Sequence, residues 1–274
     1  MEHGVKLSSG QVLPPVTFGT WKLDDTAAEL AVRDAATEGY RAFDTGQRYH
    51  NEAGVGAGMR TAPVPRDQLM VTTKLRGGDH GAEQAERAFK ASLRNLGLDY
   101  IDLYLIHWPL PRLGLYVETW QALRELRDQG LIRTIGVSNF TAEHIDALIA
   151  ATGEAPAVNQ VECHVGWRQD ALRQQMADRG VVVQSWGAIG RGKGLLEDGR
   201  LQQVAAQHGV SPAQVAMRWA WQQGVPVIAK SGNPERRRQN LDLDSFVLTG
   251  DDMALLATFD QVRIGKDPDV DEEY

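Results

Sequence analysis

Residues 99 to 109 read DYIDLYLIHWP. An apolar run, 101–107, stops on a histidine and is closed two residues later by a proline. The run lacks strict alternation, the pattern of a strand covered on both faces, as in a parallel sheet. Comparable runs occur at 16–19, 41–44 and 69–74 before it, and at 134–138, 157–162, 181–186 and 225–230 after it, eight in all. Amphipathic stretches lie between them at 26–38, 82–96, 117–129, 141–151, 170–179 and 212–222. Several open after Ser, Thr or Asp, and several close on Gly39, Gly130, Gly180 or Gly224, as capped helices do. Strand–helix alternation repeated eight times predicts an α/β fold, a (β/α)8 TIM barrel, with a doubly wound open sheet as the competing arrangement. The segment VKLSSGQVL, residues 5–13, predicts an N-terminal β-hairpin turning near Gly10. With no linker or low-complexity stretch, residues 1–274 are expected to form one barrel domain.

The bulk properties narrow the function. A chain of 274 residues buries enough surface to need no disulfides, and its one cysteine, Cys163, permits none within the chain. That suits a reducing cytoplasm. The start carries no signal-peptide pattern, and no apolar run approaches the roughly 20 residues of a membrane span. A net charge of −7 argues against nucleic acid as partner, yet the local basic segment KSGNPERRR, 230–238, can still hold a small anion. The acidic tail DPDVDEEY, 267–274, is expected to be solvated.

A barrel carries function at the C-terminal ends of its strands. There the runs stop on Trp21, Asp44, Lys74, His107, Ser138 and Asn139, Gln160 and Glu162, Trp186, and Lys230 and Ser231. Taken singly, Asp44 reads as a helix cap, Tyr49 as packing, Lys74 as a solvated cation and His107 as a core histidine. On successive strands they converge on one rim. A tyrosine has a pKa near 10, too high for an efficient acid at neutral pH, and a nearby ammonium lowers it. A buried lysine keeps its proton only beside a carboxylate. Asp44 can thus hold the charge on Lys74, Lys74 can tune Tyr49, Tyr49 can protonate a substrate oxygen, and His107 can orient that oxygen. Given a hydride source, this set reduces a carbonyl.

These segments resemble the aldo-keto reductases along nearly the whole chain. The resemblance is carried by AFDTGQRYHNEAGVG (42–56), VTTKL (71–75), DYIDLYLIHWP, IRTIGVSNF (132–140), VNQVECH (158–164) and IAKSGNPERRRQN (228–240), while SWGAIGRGKG (185–194) looks most like the bacterial 2,5-diketo-D-gluconate reductase branch. It implies that Tyr49 is the acid, with Lys74 and Asp44 its partners and His107 the polariser. It implies NADPH bound without a Rossmann fold. Ser138, Asn139 and Gln160 would hold the nicotinamide carboxamide and Trp186 would stack on the ring. Lys230, Ser231 and Arg236 would grip the 2′-phosphate, with Gln239 and Asn240 near the adenine. Trp21 and Trp108 match aromatic positions that shape the substrate pocket. The partner implied is a small-molecule carbonyl compound, and the family is mostly monomeric. The chain departs from the family pattern at Gly46, where Ala is usual, and at Gly232, Asn233 and Gln239. Arg237 and Arg238 read as a solvated helix face.

Other readings fail. GAIGRGKG nearly spells a phosphate-binding loop but places Gly194 where a Ser or Thr is needed, and LLEDGR after it is a poor helix start. GVSNF lacks the closing glycine of a nucleophile elbow. No G-x-G-x-x-G follows a strand. Glu162, Cys163 and His164 are a poor zinc set, and no metal is expected. Some barrels of this family act as regulatory subunits that keep the cofactor; turnover of an aldehyde separates that alternative from an enzyme.

Overall fold

A computed structural model describes residues 4–271. Eight strands close into a parallel barrel: β3 (Val16–Gly19), β4 (Ala42–Asp44), β5 (Met70–Leu75), β6 (Ile101–Ile106), β7 (Ile132–Ser138), β8 (Val158–Glu162), β9 (Val182–Trp186) and β10 (Val227–Ala229). The seam is the pairing of β10 with β3, Val227 opposite Val16 and Ala229 opposite Phe18. Closure leaves this eight-stranded sheet without an edge, so the open-sheet alternative is excluded.

The predicted hairpin is present as β1 (Val5–Lys6) paired antiparallel with β2 (Val12–Leu13), turning through Gly10 at φ 88°. It closes the N-terminal mouth of the barrel. Leu7 and Leu13 pack with Ala42, Met70, Leu103, Leu105 and Val158 from inside the strands. The Thr134 hydroxyl, near the start of β7, donates to Ser9 Oγ at 2.6 Å. With that end plugged, the C-terminal end is the open one.

Helices α1 (Asp25–Glu38), α3 (Ala82–Leu96), α4 (Tyr116–Asp128), α5 (Ala142–Thr152), α6 (Asp170–Asp178) and α8 (Pro212–Trp221) fall where periodicity places them. Their buried faces and the outward faces of the strands form the main core, around Phe18, Phe43, Phe89, Tyr104, Trp120 and Phe140. Four further helices, α2 (Glu52–Thr61), α7 (Gly199–His208), α9 (Pro234–Leu241) and α10 (Gly250–Leu256), were not expected. α2 carries Gly54, Gly56 and Gly58, which disfavour a helix by about 1 kcal/mol each relative to alanine. Tertiary packing overrides this: a Cβ on Gly54 would run into the Asp25 carbonyl, and one on Gly56 into that of Leu96. The segment LLEDGR also leads into a helix after all, α7, because the Asp198 side chain caps its first turn.

The basic segment near residue 234 is likewise helical. Asn233 caps α9, and Pro234 opens it without losing a needed donor. Here Arg237 corrects the solvated-face reading. It is buried, and its guanidinium makes a two-pronged bond to Glu38 on α1, at 2.6 and 2.8 Å. Arg238 stays exposed. Of the acidic tail, residues 267–271 are largely exposed and 272–274 lie outside the described residues. Among the described residues no helix is long and apolar enough to cross a membrane.

Candidate active site

The register of β4 and β5 sets Asp44 opposite Thr72, two residues before Lys74. Asp44 is the last residue of β4, so the chain then leaves the sheet and turns back through a short 3-10 turn, Gln47–Tyr49. That turn brings the Tyr49 hydroxyl over Lys74. The ammonium donates three hydrogen bonds: to Asp44 Oδ1 at 2.6 Å, to the Thr45 carbonyl at 2.8 Å and to Tyr49 Oη at 3.2 Å. Every N–H of a group only 1% exposed is thereby satisfied. Burial alone would push the Lys74 ammonium down, but Asp44, together with Tyr49, outweighs it and the pKa is raised above the ordinary lysine value. Lys74 is therefore a permanent buried cation at neutral pH. His107, the residue after β6, meets the Tyr49 ring edge-on at 6.1 Å between centroids. The four side chains predicted to converge do converge. Gly46 causes no difficulty: a Cβ there would meet Lys74 and Tyr49 at 3.5 and 3.6 Å, ordinary contact distances.

Asn51 ties this turn to its neighbour and was not foreseen. Its amide donates to the carbonyls of Thr20 and Leu23, both at 2.9 Å, and its oxygen accepts from the Thr45 hydroxyl at 2.6 Å. The loop bearing Trp21 and the loop bearing Tyr49 are thus tied together through Asn51. Trp21 is exposed and Trp108 is buried.

Ser138, Asn139 and Gln160 also gather at this rim. The Ser138 hydroxyl donates to the Gln160 carbonyl at 2.7 Å. The Asn139 amide donates to the His107 carbonyl at 3.0 Å, and its oxygen accepts the indole N–H of Trp186 at 2.9 Å. Asn139 holds a left-handed backbone, φ 63°, and such local strain persists where surrounding bonds over-determine it. Gln160 Nε2 donates to the second oxygen of Asp44 at 2.9 Å. These residues and the Asp44–Lys74–Tyr49 set form one continuous network.

The residues after β10 carry positive charge with little to balance it. Lys230 Nζ donates to the Trp21 carbonyl at 3.2 Å. Burial, and then the Lys22 ammonium nearby, push Lys230 below its ordinary value. Arg236 forms no ion pair among the described residues, whereas Arg237 and Arg238 both face Glu38. Uncompensated cations beside a helix N-terminus fit a phosphate group. Asn240 is buried beside the Tyr40 hydroxyl, while Gln239 is half-buried. Arg191, another residue sequence reasoning missed, lies with its guanidinium 4.0 Å from the Trp21 ring and 5.4 Å from the Trp186 ring. Its signal was a lone arginine among the four glycines of 187–194.

Behind Trp186 the Glu162–Cys163–His164 stretch has a structural task. Glu162 accepts from His164 Nε2 at 3.0 Å and from the backbone N–H of Ile264 and Gly265 at 2.5 and 2.6 Å. Burial would push its carboxyl up; these bonds outweigh burial and hold it below the usual range. A Cβ on Gly265 would collide with the Trp186 ring. The tail after Phe259 thus backs this indole. Cys163 is fully buried, and burial pushes its thiol up to about 12. Because the thiolate is the nucleophile, iodoacetamide at about pH 8 will leave the native thiol unlabelled and will alkylate it once urea unfolds the chain. Labelling of the native protein at the unfolded rate would contradict this burial.

Comparison with known proteins follows the same lines. The family model described as the aldo/keto reductase family matches residues 15–261. An aldo-keto reductase of Mycolicibacterium smegmatis is 43% identical over 269 residues, covering 98% of each chain. The 2,5-diketo-D-gluconic acid reductase B of a Corynebacterium species is 40% identical over 270 residues, again covering 98% of each. The crystal structure of a mutant of Gox0644 in complex with NADPH superposes with a TM-score of 0.93 at 39% identity, covering 97% of both chains.

Proposed function

The chain belongs to the aldo/keto reductase family, and on that premise we propose that it reduces small aldehydes and ketones to alcohols with NADPH. The observation that carries the mechanism is the buried lysine that donates at once to Asp44 and to the Tyr49 hydroxyl.

When bound, NADPH supplies the hydride for the carbonyl carbon. The chain's residues handle the oxygen. Tyr49 Oη donates its proton to the oxygen as negative charge develops there. The Lys74 N–H aimed at Oη stabilises the tyrosinate left behind; at about 3 Å and an effective dielectric near 20 such a charge is worth roughly 5 kcal/mol before desolvation. Asp44 keeps Lys74 charged, so the acid is tuned without a proton leaving the lysine. His107, edge-on to the Tyr49 ring, orients the substrate oxygen. Trp21 and Trp108 flank the carbonyl compound.

The residues present fit the cofactor. Ser138, Asn139 and Gln160 offer hydroxyl and amide groups for the carboxamide, beside the Trp186 indole for the ring. Lys230, Ser231 and Arg236 suit the 2′-phosphate, with Gln239 and Asn240 toward the adenine. Replacing Arg236 by alanine removes a charge-assisted contact and will weaken NADPH by about 10- to 100-fold while changing NADH less than about twofold. Fluorescence titration with both cofactors measures it; an equal loss for both would remove Arg236 from the phosphate site. The same reading takes residues 1–274 as one barrel domain working as a monomer in the cytoplasm.

The whole proposal is tested by following NADPH absorbance while a panel of aldehydes and ketones is added to the pure protein. Oxidation of NADPH supports it. Tight binding without oxidation of any compound would instead describe a cofactor-holding barrel without turnover.

A further inference from the structure

Gln184, in the middle of β9, has no role in the reaction outlined above, yet it is a fully buried amide. It belongs to a chain of polar groups that crosses the barrel interior. Asp44 Oδ2 accepts from Gln160 Nε2 at 2.9 Å, Gln184 Oε1 accepts from the same Nε2 at 3.0 Å, and Gln184 Nε2 donates to Thr17 Oγ1 at 3.1 Å. Thr17, Gln184, Gln160 and Asp44 are all buried.

The orientation of both amides follows from chemistry. An ionised carboxylate only accepts. The group of Gln160 that faces Asp44 must therefore be its NH2. That NH2 has a second N–H, and the group it meets on Gln184 must be the oxygen. Gln184 then turns its own NH2 to the Thr17 hydroxyl. The charge held on Asp44 by Lys74 thus propagates as a fixed polarity through three side chains. With both N–H groups committed, Gln160 has only its Oε1 left. That oxygen accepts no hydrogen bond within the described residues and is not among the sealed, unpartnered atoms.

We propose that Gln184 is a positioning residue that, with Asp44, locks Gln160 as a hydrogen-bond acceptor, so that the site selects a cofactor ring substituent carrying an N–H donor. A single bond from Gln160 to Asp44 would leave an axis about which the amide turns; the second bond, to Gln184, fixes its plane. The carboxamide of nicotinamide presents the required N–H. A ketone in its place presents none and leaves Oε1 unpaired. This inference rests on the NADPH reading above.

The test is fluorescence titration of the wild-type protein and of Gln184→Leu with two reduced cofactors, NADPH and its 3-acetylpyridine analogue, which keeps the 2′-phosphate and the carbonyl but lacks the N–H. Wild type is expected to prefer NADPH by about 10-fold, the worth of one well-made hydrogen bond to a buried acceptor. In Gln184→Leu that preference should fall below about threefold, because NADPH weakens and the analogue does not. A merely structural role would weaken both ligands in parallel, and an unchanged preference would overturn the proposal. Gln184→Glu, whose buried carboxyl stays neutral and offers the same oxygen, should retain the preference. If Gln184→Leu does not fold, Thr17→Val at the far end of the chain decides: a preference at least about threefold lower supports the lock, and no change overturns it. No binding of NADPH by wild type would defeat the underlying cofactor reading instead, and equal wild-type affinity for both ligands would defeat only the acceptor assignment.

Discussion

Replacing Tyr49 by phenylalanine will lower kcat for aldehyde reduction by about 100- to 10,000-fold and leave NADPH affinity within about twofold, since general-acid groups contribute on that scale. The change deletes one oxygen and keeps the ring, so the edge contact with His107 and the Lys74 ammonium 4.8 Å from the ring centroid survive. What disappears is the only group on this turn that can both accept from Lys74 and give a proton to a bound oxygen. Near-wild-type turnover by the variant would remove Tyr49 from the chemistry.

Replacing Lys74 by methionine will destabilise the fold by about 3–5 kcal/mol, because it leaves the Asp44 carboxylate buried without its cation. Among the described residues Asp44 then keeps only Gln160 as a side-chain donor. Urea unfolding at neutral pH measures the loss. The pH dependence follows from the direction of the shift. The folded pKa of Lys74 lies above the ordinary value of 10.5, so its contribution is fully present below that value and is lost as pH rises through the folded pKa. The gap between wild type and variant should narrow in strong alkali, as Lys74 gives up its proton, and also in acid, where protonation relieves the unpaired carboxylate of the variant. The double variant Asp44→Leu with Lys74→Met should recover much of the stability and none of the activity, since an apolar pair of similar volume often replaces a buried ion pair without loss. A single variant as stable as wild type would mean that the pair is not desolvated.

The barrel and its rim were legible for a common reason. Parallel strands covered on both faces leave continuous apolar runs, and the first polar residue after each run marks the open end. Asp44, Lys74 and His107 stood out in this way. The unexpected helices have equally physical causes. α2 is written in glycines because two neighbouring backbones touch it, a fact of packing that propensity cannot carry. α9 has almost no apolar periodicity; its Asn233 cap and the buried pair of Arg237 with Glu38 hold it instead. The Gln160–Gln184 chain was hidden more deeply. It joins β8, β9, β3 and β4, and only closure of the sheet brings those strands face to face across the interior. A glutamine in the run VVVQSW gives no sign of what lies opposite it.

The seam between β10 and β3 has a consequence for the life of the chain before it is an enzyme. Until Ala229 finds Phe18, β3 and β10 are bare borders with unpaired backbone groups. Those two borders are joined by nearly the whole length of the polypeptide, and pairings so distant in sequence form late and slowly. A newly made or refolding molecule therefore passes through a crescent that another crescent can extend. Its hazard is a bimolecular race, in which dilution favours the closed ring and crowding with its own kind favours the aggregate.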